Sequence, residues 1–184
     1  LARPPPAGHI ASTTTVDFTG RVAIVTGAAR GLGRAAAERL YERGASVAVN
    51  LRDGERAEEV AAALGERALA VPGDIAARGA PDEIVRRTLE RFGRVDVLVN
   101  NAAVARSTRL AELTTDEWRL ALEVNLTAPF LFIKAVLPAM KAQQYGRIIN
   151  ISSSAGRMVS TLGGAHYTAS KAGIIGFSRV LADE

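Results

Sequence analysis

The chain has 184 residues, with 23 basic against 19 acidic side chains, a net charge of +4 and a pI near 9.9. It is 48% hydrophobic and 23% charged, with 17 glycines and 7 prolines. That is the make-up of one globular domain, and not of a collagen-like, coiled-coil or disordered chain. It has no cysteine, which excludes disulfide scaffolds, thiolate metal sites and cysteine nucleophiles and fits a reducing, cytoplasmic setting.

Net basicity raises the question of nucleic acid, and the charge pattern argues against it. Only Lys134, Lys141 and Lys171 are lysines, and most arginines alternate with acids, as in Glu83, Arg86, Arg87, Glu90 and Arg91. Opposite charges three or four apart on a helix pair with each other in solvent, whereas a nucleic-acid footprint is a patch of one sign. No apolar run reaches the ~18–20 residues of a membrane helix. Neither nucleic acid nor a membrane is an expected partner.

Residues 1–20 read as an extended or disordered tail. Pro4-Pro5-Pro6 and Ser12-Thr13-Thr14-Thr15 have no apolar period, and a proline run favours solvated, extended backbone. A remnant of a targeting leader is the other reading of this segment. From Arg21 the pattern becomes regular. Val22-Ala23-Ile24-Val25 is a continuous apolar run, the mark of a strand buried on both faces. Glycines and a helical period over residues 34–43 follow. Next come a strand at 47–49, a helix at 55–64, a strand at 68–71, a helix at 81–92 and a strand at 95–99. Residues 115–143 form a long helical stretch that Pro129 is expected to bend. A fifth strand at 147–151 and a helix at 166–182 complete the chain. This alternation predicts a three-layer α/β fold: a doubly wound parallel sheet with helices on both faces and right-handed crossovers.

Two constellations carry chemistry. The first strand runs into Thr26-Gly27-Ala28-Ala29-Arg30-Gly31-Leu32-Gly33, directly before a helix. Glycines there let the backbone turn sharply and approach a pyrophosphate, whose charge suits a helix N-terminus. The spacing is G-x-x-x-G-x-G, neither the G-x-G-x-x-G fingerprint nor a P-loop, and glycines in a turn can also be mere punctuation. The second is Tyr167-x-x-x-Lys171 at the start of the last helix. Residues four apart share a helix face, and an ammonium near a phenol favours phenolate, which makes an acid–base group. Alone, such a pair also occurs in purely structural helices.

Together the motifs resemble the short-chain dehydrogenase/reductase family from about residue 21 to 184, and within it the 3-oxoacyl-acyl-carrier-protein reductases and similar NADPH-dependent ketoreductases. The pieces fall in the family's order: the glycine turn at 26–33, Asp74 after the third strand, Asn100-Asn101-Ala102 after the fourth, Asn125 in the long helix, Ser153 after the fifth, then Tyr167 and Lys171. The resemblance implies a Rossmann dinucleotide-binding domain and hydride transfer between a nicotinamide cofactor and a carbonyl or alcohol substrate, either a small molecule or one bound to an acyl carrier. Tyr167 would be the general acid, Ser153 would hydrogen-bond the substrate oxygen, and Lys171 would hold the nicotinamide ribose. Asn125 would support a proton-relay water. Gly27, Arg30, Gly31, Leu32 and Gly33 would cradle the cofactor. Asp74 with Ile75 would meet its adenine, and Asn100, Asn101 and Ala102 its adenosine side. No metal is implied. A homotetramer or homodimer is expected by resemblance.

Cofactor choice follows from the end of the second strand. An acid there accepts from the ribose 2′-hydroxyl of NAD, while arginine neutralises the 2′-phosphate of NADP. In this chain Leu51 occupies the acid's place, Arg52 follows, and Arg30 lies in the turn, so NADP(H) is expected over NAD(H). Arg52 paired with Asp53 or Glu55 in solvent is the plain alternative. Asp74 as a turn residue, Asn100 and Asn101 as backbone partners at a strand end, and His166 as a loop histidine are further plain readings. Trp118 and Phe92 read as packing residues.

Three departures from the family pattern stand out. Alanine occupies position 103 where glycine is usual. Ser152, Ser153 and Ser154 are consecutive, and Ser153 is preferred because Gly156 then follows three residues later, although Ser154 restores the commoner spacing to tyrosine. The chain stops near the end of the Tyr167 helix, so the last strands are expected to be lacking and the fifth strand to form an edge. The competing functional reading is a cofactor-binding or interaction protein without turnover.

Overall fold

The computed structural model describes residues 16–159 and 163–183. The strands are β1 (Val22–Thr26), β2 (Ser46–Asn50), β3 (Ala68–Ala70), β4 (Val97–Asn100) and β5 (Arg147–Asn150). They form one fully parallel sheet in the order β3-β2-β1-β4-β5. The chain steps from β1 out to β2 and β3, then crosses back to lay β4 on the other side of β1. That reversal opens a crevice at the carboxyl ends of β1 and β4, where open α/β sheets take ligands.

The helices are α1 (Gly31–Glu42), α2 (Gly54–Leu64), α3 (Ala80–Phe92), α4 (Thr115–Leu122), α5 (Ala128–Ala142) and α6 (Ala165–Leu181). Local chemistry sets several ends. Asp53 caps α2 by accepting from Arg56 N–H at 3.1 Å, and Thr114 caps α4 by accepting from Glu117 N–H at 3.2 Å. Pro81 sits in the first turn of α3, and Gly93, at φ +76°, ends it. One apolar layer joins Val25, Val47 and Val49 to Ala37, Ala57 and Val60 of α1 and α2. The other joins Ile24 and Leu98 to Ile84 of α3 and Phe132, Ile133 and Val136 of α5. Fully burying one such side chain contributes about 1.5–3 kcal/mol, so these two layers hold the sheet.

Beneath the sheet, Asp96 is buried and accepts from Arg21, from Arg94 at 2.7 Å and from Val22 N–H at 2.9 Å. Burial pushes its carboxyl up, but hydrogen bonds from Arg94, Val22 N–H and Arg21 outweigh that and hold it below the usual aspartate value.

The structure corrects several expectations. The long stretch expected to bend at Pro129 is interrupted just before that proline. Its irregularity is a π-helical turn at Glu123–Thr127, closed by Ala128 N–H donating to Glu123 O. Pro129 has no N–H to offer the Asn125 carbonyl, and its ring would strike it, so the wider turn falls where an α-turn would clash. The stretch Thr115–Ala142, 28 residues, is also long and apolar enough by composition to cross a membrane, contrary to the expectation. Here its Phe132, Ile133 and Val136 are buried in the core. Of the expected tail, residues 1–15 lie outside the described residues. Phe18 packs against the first apolar layer, with its N–H on Arg43 O at 2.8 Å. Among the described residues β5 is an edge strand, with Ile149 46% exposed.

Candidate active site

The glycine turn is held at the crevice by hydrogen bonds between the end of β1 and the residues after β4. Thr26, the last residue of β1, is buried. Its Oγ1 accepts from Asn101 N–H at 3.0 Å and Ala102 N–H at 3.1 Å and donates to Val99 O at 3.3 Å. Asn101 Nδ2 returns two bonds of 3.0 Å to Thr26 O and Gly27 O. Gly27 and Gly31 have φ of +67° and +57°, which favours glycine. Gly33 is glycine for want of space, since a Cβ there would meet the Asn101 amide and lie 2.5 Å from Gly27 O.

The start of α1 is left open. Arg30 stands at its N-cap without a side-chain capping bond, and no acid lies in its first turn. By contrast α2, α3 and α4 all begin with acids. The free amides of α1 face a crevice of about 490 Å³ lined by Gly27, Arg30, Gly31, Arg52, Asp74 and Asn101. Free N–H groups and the positive end of the helix dipole suit a phosphate-bearing ligand. Arg30 and Arg52 are exposed, and among the described residues neither guanidinium has a hydrogen-bonded or ionic partner. Asp53 accepts instead from the Arg56 backbone, so the plain pairing of Arg52 in solvent is not made.

Asn125 ties this crevice to α6. It is buried in the π-turn. Its Oδ1 accepts from Val104 N–H at 2.9 Å, and its Nδ2 donates to Val104 O at 2.9 Å and Ser170 Oγ at 3.0 Å. Val104 lines the crevice, and Ser170 precedes Lys171. Lys171 is buried, its Nζ donates to Ile151 O at 2.7 Å, and the amine lies 5.9 Å from the Tyr167 ring centre. Desolvation pushes its pKa below that of an ordinary lysine. Like α1, α6 starts without a side-chain cap or an acid in its first turn.

The three serines separate. Ser152 donates to Lys171 O at 2.9 Å, Ser154 is exposed, and Ser153 caps the short 3₁₀ turn Ser154–Gly156 by accepting from Ala155 N–H at 3.2 Å. Gly156 lets that turn touch α6, for a Cβ there would lie 2.6 Å from Lys171 O.

Other predicted residues fall as follows. Ile75, Ala102 and Ala103 line the crevice, and Leu32 is exposed in the first turn of α1. Asp74 lines the crevice and also makes the turn bond of its plain reading, accepting from Ala76 N–H at 3.0 Å. Asn100 is turned the other way, toward β5, where its amide donates to Asn150 Oδ1 at 2.9 Å. His166 is a buried residue in the first turn of α6, not a loop histidine. The sequence reading missed Thr26, Ser152 and Ser170 as supports. Thr26 could have been found, since a polar residue closing an apolar strand directly before Gly27 needs a partner. A larger cavity of about 830 Å³ lies between α5, β5 and α6, beside Met140 and Arg147 and away from this site. Among the described residues no group of acidic or histidine side chains is placed to hold a metal.

Comparison with known proteins agrees with this geometry. Residues 21–184 match the short chain dehydrogenase family, and the chain belongs to that family and is an oxidoreductase. Its relatives include the 3-oxoacyl-[acyl-carrier-protein] reductase of Synechocystis sp., 42% identical over 171 residues, covering 91% of this chain and 69% of that protein. The FabG reductase of the same name from Salmonella typhimurium is 40% identical over 169 residues, covering 92% and 69%. A (2S)-[(R)-hydroxy(phenyl)methyl]succinyl-CoA dehydrogenase subunit, BbsD, of Thauera aromatica is 40% identical over 170 residues, covering 89% and 66%.

Proposed function

We propose that residues 21–184 bind NADP(H) in preference to NAD(H) and catalyse reduction of a carbonyl, with a 3-oxoacyl thioester or similar ketone as substrate. The observation that carries this reading is the Asn125 bridge, which joins the crevice wall at Val104 to the helix bearing Tyr167 and Lys171. Relatives named for substrates on an acyl carrier protein and on coenzyme A support a thioester-bound acyl chain.

The bound cofactor supplies the hydride. The amides of α1 take its pyrophosphate, and Arg30 and Arg52 take the 2′-phosphate by charge-assisted bonds. Tyr167 gives its hydroxyl proton to the substrate oxygen, and Ser153 donates a hydrogen bond to that same atom as negative charge grows there. Lys171 holds the ribose hydroxyls, and its ammonium favours the phenolate left on Tyr167. Asn125 supports a water that returns a proton toward Lys171. The exposed Phe130 of α5, packed edge-to-face on Phe177 of α6 with ring centres 6.1 Å apart, supports a homo-oligomer formed through these helices.

The test is a steady-state assay of the purified protein with acetoacetyl thioesters of acyl carrier protein and coenzyme A, each with NADPH and with NADH. Turnover with NADPH well above that with NADH is expected. Cofactor binding without turnover of either thioester would overturn the reductase reading in favour of a binding protein.

A further inference from the structure

Strand β5 and helix α6 meet through polar groups. Asn100 and Asn150 stand opposite each other in the β4–β5 register, and the Asn100 amide donates to Asn150 Oδ1 at 2.9 Å. With its oxygen so engaged, Asn150 turns its NH₂ group to Ser178 Oγ at 2.9 Å, and the Ser178 hydroxyl donates to Ile174 O at 2.7 Å. Each donor sets the next, so neither amide can flip without losing its bonds.

The ladder reaches α6 seven residues beyond Lys171 on the same face, about 10 Å along the axis. The residues after Asn150 make the second attachment. Ile151 O accepts from Lys171 Nζ at 2.7 Å, and Ser152 Oγ donates to Lys171 O at 2.9 Å. A helix held at one point can slide or pivot on its strand, whereas two points two turns apart fix its register.

We propose that Asn150 and Ser178 are positioning residues whose bridge sets the register of α6 on β5 and so holds the Lys171 amine at the Ile151 carbonyl. The consequence for turnover rests on the role proposed for Lys171 above, but the placement of its amine is tested apart from that role.

With only three lysines in the chain, ¹³C-labelled lysine allows the ε-carbons of Lys134, Lys141 and Lys171 to be titrated separately, Lys171 being assigned by its loss in Lys171→Arg. In Ser178→Ala and in Asn150→Ala the Lys171 titration is expected to move upward, toward the ordinary amine value, because an amine released from its buried seat regains water and sheds the desolvation that holds it down. Lys134 and Lys141 should not move. Ser178→Thr keeps the hydroxyl and should leave Lys171 where it is. The double variant should shift it no further than either single, because the two residues form one bridge. A general loss of stability would lower the melting temperature without moving Lys171 against the other two. An unchanged Lys171 titration in folded Ser178→Ala protein, or single shifts that add in the double variant, overturns the proposal. Turnover of Tyr167→Phe decides the proposed reaction independently.

Discussion

β1 and β5 lie in the same sheet and are held by different forces. All five residues of β1 are buried, while in β5 Arg147 and Ile149 are exposed and Ile148 and Asn150 half-buried. Apolar neighbours on both faces fix β1, and it delivers a turn whose useful groups are main-chain amides. β5 is pinned by side-chain bonds crossing to α6, and it delivers side chains that must be placed one by one. On the reading proposed above, the centre of the sheet supplies a surface for binding, and its edge supplies the reacting groups. Damage to the two should separate affinity from rate.

The largest expected effect is at the edge. Tyr167→Phe should lower kcat by about 10²–10⁴ while calorimetric titration gives an unchanged cofactor Kd. A fall in both together would break the division. On the central side, Arg52→Glu should weaken NADPH by about 1.5–3 kcal/mol, or roughly tenfold to a hundredfold, with NADH little affected, as measured by the same titration. Equal losses for the two cofactors would remove Arg52 from 2′-phosphate recognition. Gly33→Ala drives a methyl into the Asn101 amide and to 2.5 Å from Gly27 O. Chemical denaturation should show a loss of about 1–3 kcal/mol, and cofactor binding should fall with it.

The smallest effect tests the foundation that the two strands share. Asp96 has a folded-state pKa below its unfolded one. The unfolded chain thus binds this proton more readily, and the carboxylate's contribution is fully present above the ordinary aspartate pKa and lost as pH falls through the folded value. Asp96→Asn should flatten the stability curve as pH falls below the ordinary aspartate range, with a modest effect because its arginine partners are partly exposed. A curve as steep as that of the unaltered protein would show that other carboxylates govern acid unfolding.

The same contrast explains what could be read from the sequence. β1 and its turn were legible because burial on both faces leaves an unbroken apolar run, and positive φ leaves glycine. Asn125, Ser153, Tyr167 and Lys171 were singled out by the family resemblance and not by any period in the sequence. Spacing alone did not reveal that Ser152 is engaged with Lys171 O while Ser153 caps a turn, since three identical neighbours differ only in what they face. Asn150 and Ser178 are 28 residues apart in the chain, and a hydrogen bond across that distance leaves no period. The resemblance implied a cofactor contact for Asn100 together with Asn101, yet successive side chains of a strand end point opposite ways, and Asn100 bonds to Asn150 while Asn101 lines the crevice. His166, read as a loop histidine, lies instead in the first turn of α6, where it is buried.

The wide turn at Glu123–Thr127 also governs phase. Val124, Ala128, Phe132, Val136 and Met140 are all buried at a strict spacing of four. In a straight α-helix, where each residue turns the axis by about 100°, a row spaced by four creeps sideways by about 40° at every step. A turn that takes in one more residue rotates less per residue and sets part of that creep back. Only the first step of the row, Val124 to Ala128, spans the wide turn, so the setback falls where the chain passes from Asn125, bonded to Ser170 of α6, into the buried face of α5.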